Sequence, residues 1–583
     1  MKKTSIVCAV ISIVLFSYCG ERKAYSPGKN KSIPMGGILH VNEVEKIRSL
    51  MPIAINELNS YHIASQVYEG LVKYNQNNLN IMPALARSWE ISQDQTEFTF
   101  HIRTNAVFHN DSCFKGGQGR RVMARDVKFS FENLCSKNIN NTQYDVTFKD
   151  RVEGASIFFA ESKSGKVHNL SGLTIVDDST VRIKLVNPDA NFLNVLTMPG
   201  CYIYPREAVL KYGAQMRTKC VGTGPFYVES YKEDEVLIMK KNPNYWATDS
   251  NGSRLPYLDA IKWTFIHDKK AEVLEFKRGN LDMINHVPVE MFHELMGEMQ
   301  GQEKKGLNFD IYSAPALATH YLGFNLSTNP FFSIREIRLA FNLAIDRHKI
   351  AEYTIQGEGR PADYGIVPYT EVFEKNGYEY KRLKGYVYNP DSAKKLMAIA
   401  GYPNGRGLPD FNLEINSGGG DRNILIAVVV QKMLKEIGVN VTMNVVPWPE
   451  HIENVQSGKS DFFRYAWVSD YADPESFLTL FYGKHVPQNY TDKSYINFCR
   501  FRNDKFDSLY NAARTEPAIR KRYGLLSQAE EVLLEEAPFM PLFYDENFRL
   551  EQKYVKNLPE NALNYMDMST TYLVHDGGKP LQK

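Results

Sequence analysis

Once its first nineteen residues are set aside, the chain has no apolar run approaching the roughly 18 residues that a membrane-spanning helix needs. It also lacks an excess of charge of either sign: Lys plus Arg number 69 and Asp plus Glu 67. No strong net field draws it to a phosphate backbone or an anionic bilayer, so nucleic acid is not an expected partner. Low-complexity tracts and internal repeats are absent. With 43% hydrophobic and 23% charged residues the composition is that of an ordinary folded protein. Its 583 residues exceed the roughly 250 to 300 at which a single core stops growing, so more than one lobe is expected.

The signatures of catalysis and metal binding are missing as well. No GxSxG occurs, which removes support for a nucleophile-elbow hydrolase. The GGQG run from Gly116 to Gly119 lacks the GKS or GKT ending of a phosphate loop and reads as a plain loop. His293 and Glu294 open HELMG with no second His four residues on, so no zincin site forms. Cysteine is scarce, and no CxxC is present. After Cys8 and Cys19, five remain: Cys113, Cys135, Cys201, Cys220 and Cys499. An odd number leaves at least one unpaired. Cys201 with Cys220 and Cys113 with Cys135 lie closest in sequence, and the connectivity stays open. Neither a metal nor a cofactor is expected, and lone histidines such as His109 and His320 read as hydrogen-bonded structural residues.

What is present begins with Lys2 and Lys3, the apolar run from Ile6 to Phe16, and then Ser17, Tyr18 and Cys19. This pattern predicts an export signal. A Cys closing the apolar run resembles the bacterial lipobox, in which that Cys carries the lipid, although Tyr18 is larger than the residue usual before it. Residues 20–34 have the Gly, Ser, Pro and Lys content of a flexible tether. Export to a periplasm or cell envelope, with a membrane anchor at Cys19, is the expected location, and it permits disulfides.

Short strands and helices alternate along the body, giving a mixed α/β class. Residues 98–103 (FTFHIR) alternate apolar and polar with the period of a half-buried strand, and residues 181–186 and 236–241 do likewise. A helix is predicted after Ser333, with Ser333 and Glu336 as a capping box. Further helices are predicted over 391–402, after Pro390, and over 424–438. Asp473 directly precedes Pro474, as a helix N-cap does. Gly222, Gly224 and Pro225 suit a tight backbone turn.

Several segments, in order, resemble the peptide, nickel and opine family of extracellular solute-binding proteins. They are YEGLVKYN (68–75), MPALARSWEISQDQTEFTFHIRTNAVFHN (82–110), ARDVKFSFENL (124–134), GTGPFYVESY with KKNPNYW (222–231 and 240–246), IREIRLAFNLAIDRHKI (334–350), YNPDSAKKLMAIAGYPNG (388–405), DFFRYAWVSDYADPESFL (461–478) and EEAPFMPLFY (535–544). Residues 113–121 interrupt the usual turn, and 138–170 look inserted.

The resemblance implies a periplasmic-binding-protein-like α/β fold of the cluster C type, two hinged lobes with an extra domain inserted in the first. Lobe I is expected over 35–66, 218–318 and 541–583, the extra domain over 67–217 and lobe II over 319–540. It further implies a non-enzymatic monomer that captures a peptide between its lobes and delivers it to ABC permease subunits. Asp470 matches the position at which peptide-binding members present a carboxylate to the ligand ammonium. Trp467 is expected along the ligand backbone or the cleft wall, and Tyr471 nearby. The same scaffold also serves nickel-chelate, haem, opine and oligosaccharide cargoes. A secreted peptide hydrolase is the rival of a different class.

Overall fold

The alternation at Phe98, Phe100 and Ile102 is realised as a strand, Glu97–Ile102, whose three apolar side chains are buried while Glu97, Thr99 and His101 are partly open. The computed structural model describes residues 33–574, except 139, 163–168, 286–290, 292–308, 418–421 and 490. The leader, Cys19, almost all of the tether and the His293–Glu294 pair lie outside the described residues.

Three sheets organise the described chain. In the first, Ile38–Asn42 pairs in parallel with Ala260–Thr264, followed by Val236–Lys241 and Phe226–Lys232. Its core includes Leu39, Trp263 and, from the chain's far end, Met568 and Leu573. The second is an antiparallel sheet in the order Ala86–Ile91, Glu97–Ile102, Thr180–Lys184 and Leu173–Asp177, with a core drawn entirely from residues 53 to 221. The third is a seven-stranded mixed sheet. Two long antiparallel strands, Phe309–Phe324 and Phe539–Gln552, form its centre. Met283–Asn285 pairs with one end of the second long strand, and Gly359–Pro361 pairs nearer its other end. Where the first long strand passes towards its partner Phe462–Val468, the register shifts between Pro315 and Thr319, a bulge that bends the ribbon.

The helix Arg335–Leu343 buries Ile337, Ala340 and Phe341, with Ala344 and Ile345 completing the face, as its spacing requires. Its capping box does not form. Ile334 occupies the N-cap, and the Ser333 hydroxyl instead donates to the Pro330 carbonyl at 2.6 Å, because a short helix, Pro330–Ser333, fills the expected cap position. The next residues explain why the segment ends in Ala-x-Asp-Arg. Asp346 accepts from the Lys349 amide at 3.0 Å. Arg347, 2% exposed, spends its guanidinium on backbone and amide oxygens of Pro541 (2.6 Å), Tyr386 (3.0 Å) and Asn342 (2.9 Å). A planar fork does this where a lysine could not, and it ties the helix to the second long strand.

Two further helices, Pro390–Ile399 and Arg422–Glu436, stand where the sequence puts them, and Asn389 caps the first at 2.9 Å. All five described cysteines are free, so neither sequence-adjacent pair is bridged: Cys135 and Cys201 are sealed in one apolar core and Cys499 in another. Gly222 and Gly224 serve close approach rather than a turn. A Cβ on Gly222 would lie 2.1 Å from the Val67 carbonyl oxygen, at the end of the helix Leu58–Val67.

Candidate functional site

The strand Phe462–Val468 presents two chemically different faces. Phe463, Tyr465 and Trp467 pack on one core, while Phe462, Arg464, Ala466 and Val468 point the other way. Its two edges also differ. One edge pairs with the long strand along its whole length, from Phe324↔Phe462 to Ala318↔Val468. The other meets Phe411–Asn416 only at Leu413↔Phe462 and Glu414↔Phe463.

From Arg464 onward this second edge has no strand partner among the described residues. Successive backbone polar groups alternate sides in a strand. The Ser469 amide donates to the Leu317 carbonyl at 2.8 Å on the paired side, whereas the Arg464 carbonyl lies 2.9 Å from the His451 Nε2 on the open side. The N–H and C=O groups of Ala466 and Val468 therefore face the open side too. An unpaired edge of this length is a template for an added extended chain.

At the end of that edge stands Asp470. Its amide donates to the Ser476 hydroxyl at 3.2 Å. Its carboxylate has no hydrogen-bond or ion-pair partner among the described residues and is open to solvent on one side. Surrounding protein still pushes it up to about 6 by burial, with Arg151 opposing and Glu475 adding to the rise. A carboxylate held this way lacks a cation.

Trp467 is half-buried against the lobe core, and its indole N–H is buried without a partner among the described residues. Tyr471 is 4% exposed, its hydroxyl donating to Glu475 and its ring packed with Tyr74, Met198 and Tyr565. Pro474, not Asp473, holds the N-cap position of the short helix Glu475–Leu478; Asp473 lies one residue earlier, accepts from the Glu475 amide at 2.9 Å and pairs with Arg522, which the sequence did not signal. His109 and His320 are both hydrogen-bonded.

Arg464 is the residue that sequence reasoning missed. Its guanidinium donates to Asn416 Oδ1 at 3.1 Å and to His320 Nδ1 at 2.7 Å, and no carboxylate of the described residues lies within ion-pair distance. Burial, with neighbouring Arg422 adding to it, pushes it down to about 10. His320, pushed down to about 4 by burial, is neutral; it accepts from Arg464 on Nδ1 and donates from Nε2 to Asp545 at 2.7 Å. Arg422 takes the other Asp545 oxygen at 2.9 Å. The signal was available in the sequence: FFRYAW places one cation inside an otherwise apolar strand.

A free strand edge with an unpaired carboxylate beyond one end and an acid-free guanidinium at the other is an apparatus for holding an extended molecule. These are the features of a ligand-binding protein of mixed α/β architecture. Residues 80–489 match the family model described as bacterial extracellular solute-binding proteins, family 5 Middle, and the chain belongs to that family of non-catalytic, ABC-transporter substrate-binding proteins.

Among its relatives are Heme-binding protein A of Haemophilus influenzae, 29% identical over 522 residues and 88% of each chain, and the dipeptide-binding protein DppE of Bacillus subtilis, 26% identical over 96% of each. A solved structure of the periplasmic binding protein DppA from Helicobacter pylori in complex with the peptide STSA superposes with a TM-score of 0.72 at 26% identity, covering 93% of this chain and 98% of that one. The fold is therefore the cluster C type that the sequence resemblance implied. Among the described residues, no helix is long and apolar enough to cross a membrane.

Proposed function

We propose that this protein captures short peptides through their backbone and free α-ammonium, and delivers them to an ABC permease. The observation that carries this reading is the open edge at Ala466 and Val468 leading to the partnerless carboxylate of Asp470. A ligand paired with that edge gains main-chain hydrogen bonds that ignore its side chains. Its ammonium supplies a counter-charge to a carboxylate left exposed and without a partner among the described residues, and closure around the pair would desolvate both charges together.

Arg464 offers the opposite charge. Six residues of extended chain separate it from Asp470, at most about 20 Å at roughly 3.3 Å each, so it meets the carboxylate only of a short peptide. Trp467 lines the same segment, and Tyr471 supports it from behind through Glu475.

The lobes take the boundaries given above. Supporting them are the separate cores of the first two sheets and the bulge at Pro315–Thr319, which places a flexure in the long strands between them. Cys19 anchors the chain to the membrane by its lipid.

Haem is the second reading, favoured by the similarity to Heme-binding protein A. Both ring nitrogens of His320 and His451, the histidines beside the open edge, are already engaged by protein groups. This favours peptide. Calorimetric titration with a set of di- to hexapeptides and, separately, with haem tests the choice. Peptide binding with little dependence on side chains supports the proposal, and haem binding with no peptide binding refutes it.

A further inference from the structure

The segment bearing Asp470 runs on into a buried ionic knot whose other half comes from residues some 300 positions earlier. On one side are Asp473 (1% exposed) and Glu475 (3%), and on the other Arg151, Asp189 and Asn191 (3%). The Asn191 side-chain N–H group donates to Glu475 Oε2 at 3.2 Å and to Asp473 Oδ1 at 3.4 Å, and its Oδ1 accepts from Arg522 at 3.1 Å. The Ala190 amide donates to the Arg514 carbonyl at 3.1 Å, and Asp189 approaches the Arg514 guanidinium at 3.8 Å. Beside them the Ala472 amide donates to the Tyr74 hydroxyl at 3.4 Å.

Asp473 is already paired with Arg522 and accepts from the Tyr523 hydroxyl at 3.2 Å, and Glu475 accepts from the hydroxyls of Tyr471 and Tyr510; all of these lie in 319–540. Asp189 is paired with Arg151 at 3.1 Å inside 67–217. When the two halves part, Asp473 and Asp189 keep their ion partners, while Glu475 keeps two tyrosine hydroxyls and the field of Arg514 but loses that of Arg151, so little buried charge is stranded. What crosses the seam is a neutral amide side chain, two backbone N–H groups, one long ionic approach, the attraction of Arg151 for Glu475, and the packing of Tyr471 on Tyr74 and Met198. The polar contacts open at modest cost, yet on closing they add hydrogen bonds to ionised acceptors, the stronger kind.

We propose that the Asp189–Ala190–Asn191 turn is a closure clasp, and that Asn191 is a positioning residue setting ligand affinity without touching ligand. The proposal rests on the reading that 67–217 and 319–540 part and meet around Asp470. Apparent affinity scales with the fraction of protein in the closed, competent state. Weakening the clasp lowers that fraction and speeds ligand release.

The test compares Asn191→Ala and Asn191→Asp with the wild type. The second variant sets a third carboxylate beside Asp473 and Glu475. Solution X-ray scattering of the ligand-free proteins reads closure directly, and titration with a short peptide reads its consequence. We expect a larger radius of gyration for Asn191→Asp and peptide binding weakened roughly tenfold or more by faster dissociation, with Asn191→Ala intermediate. The thermal midpoint of the ligand-free protein is expected to stay unchanged. Unchanged scattering with a lowered ligand-free midpoint overturns the clasp and leaves a static interface. If the wild type takes no peptide, the scattering comparison still decides, since it needs no ligand: expansion in Asn191→Asp supports the clasp, and none refutes it.

Discussion

Asp470 ties affinity to pH. Burial holds its carboxyl near 6, above its ordinary value of 3.8, with Arg151 pulling down and Glu475 pushing up. A folded-state value raised above the unfolded one means that the group favours the ligand-free fold fully below about pH 4 and that this contribution is lost as pH rises through about 6. At neutral pH the ionised carboxylate therefore works against the empty cleft, and a ligand ammonium relieves it. Below about pH 6 a proton competes with the ligand, so affinity is expected to fall by up to about tenfold per pH unit and to level off above about pH 7. Titrations at several pH values check this, and an Asp470→Asn variant should lose the dependence. Of the residues in this wall, Asp470 was reachable only through the resemblance of WVSDY to a family segment. A lone Asp after a strand reads equally as a turn residue, and only the three-dimensional absence of a partner distinguishes the two.

The strand Phe462–Val468 was legible only within a family segment, although DFFRYAWV carries its apolar content openly. Its free edge was not legible. Which backbone groups lack a partner depends on where Phe411–Asn416 stops pairing, a tertiary fact that side-chain periodicity does not encode. The same limit hid the failed cap at Ser333, where a short preceding helix overrode a correct local motif. The edge makes its own prediction. Proline is tolerated in a strand where the lost N–H is not in the ladder, and the Ala466 N–H faces away from the paired strand. Ala466→Pro should therefore leave the fold intact by circular dichroism while lowering affinity for peptides of every sequence by roughly three- to tenfold, the worth of about one hydrogen bond. Loss confined to particular side chains would place the ligand elsewhere.

For the whole molecule, the order of the family segments along the sequence was enough to give the class of fold, because each carries a structural job. Arg347 clamps helix to strand through carbonyl oxygens, and Gly222 lets the chain pass against Val67. The ionic knot at Asn191 was invisible, since its members are scattered from Arg151 to Arg522. Replacing Cys19 with Ser should release the protein from the membrane fraction into the soluble fraction, and fractionation of cells expressing both forms tests the anchor.

The account stands most directly on a thermodynamic cycle: calorimetric titration of wild type and Asp470→Asn with one short peptide, free and N-acetylated. With the pair enclosed in a closed, mostly dehydrated cleft, removing one partner typically costs roughly 3 to 5 kcal/mol, so either change alone should weaken binding at least about a hundredfold. The second change should then add little, because both delete the same contact. Losses that simply add would place Asp470 outside the ligand contact and contradict the account.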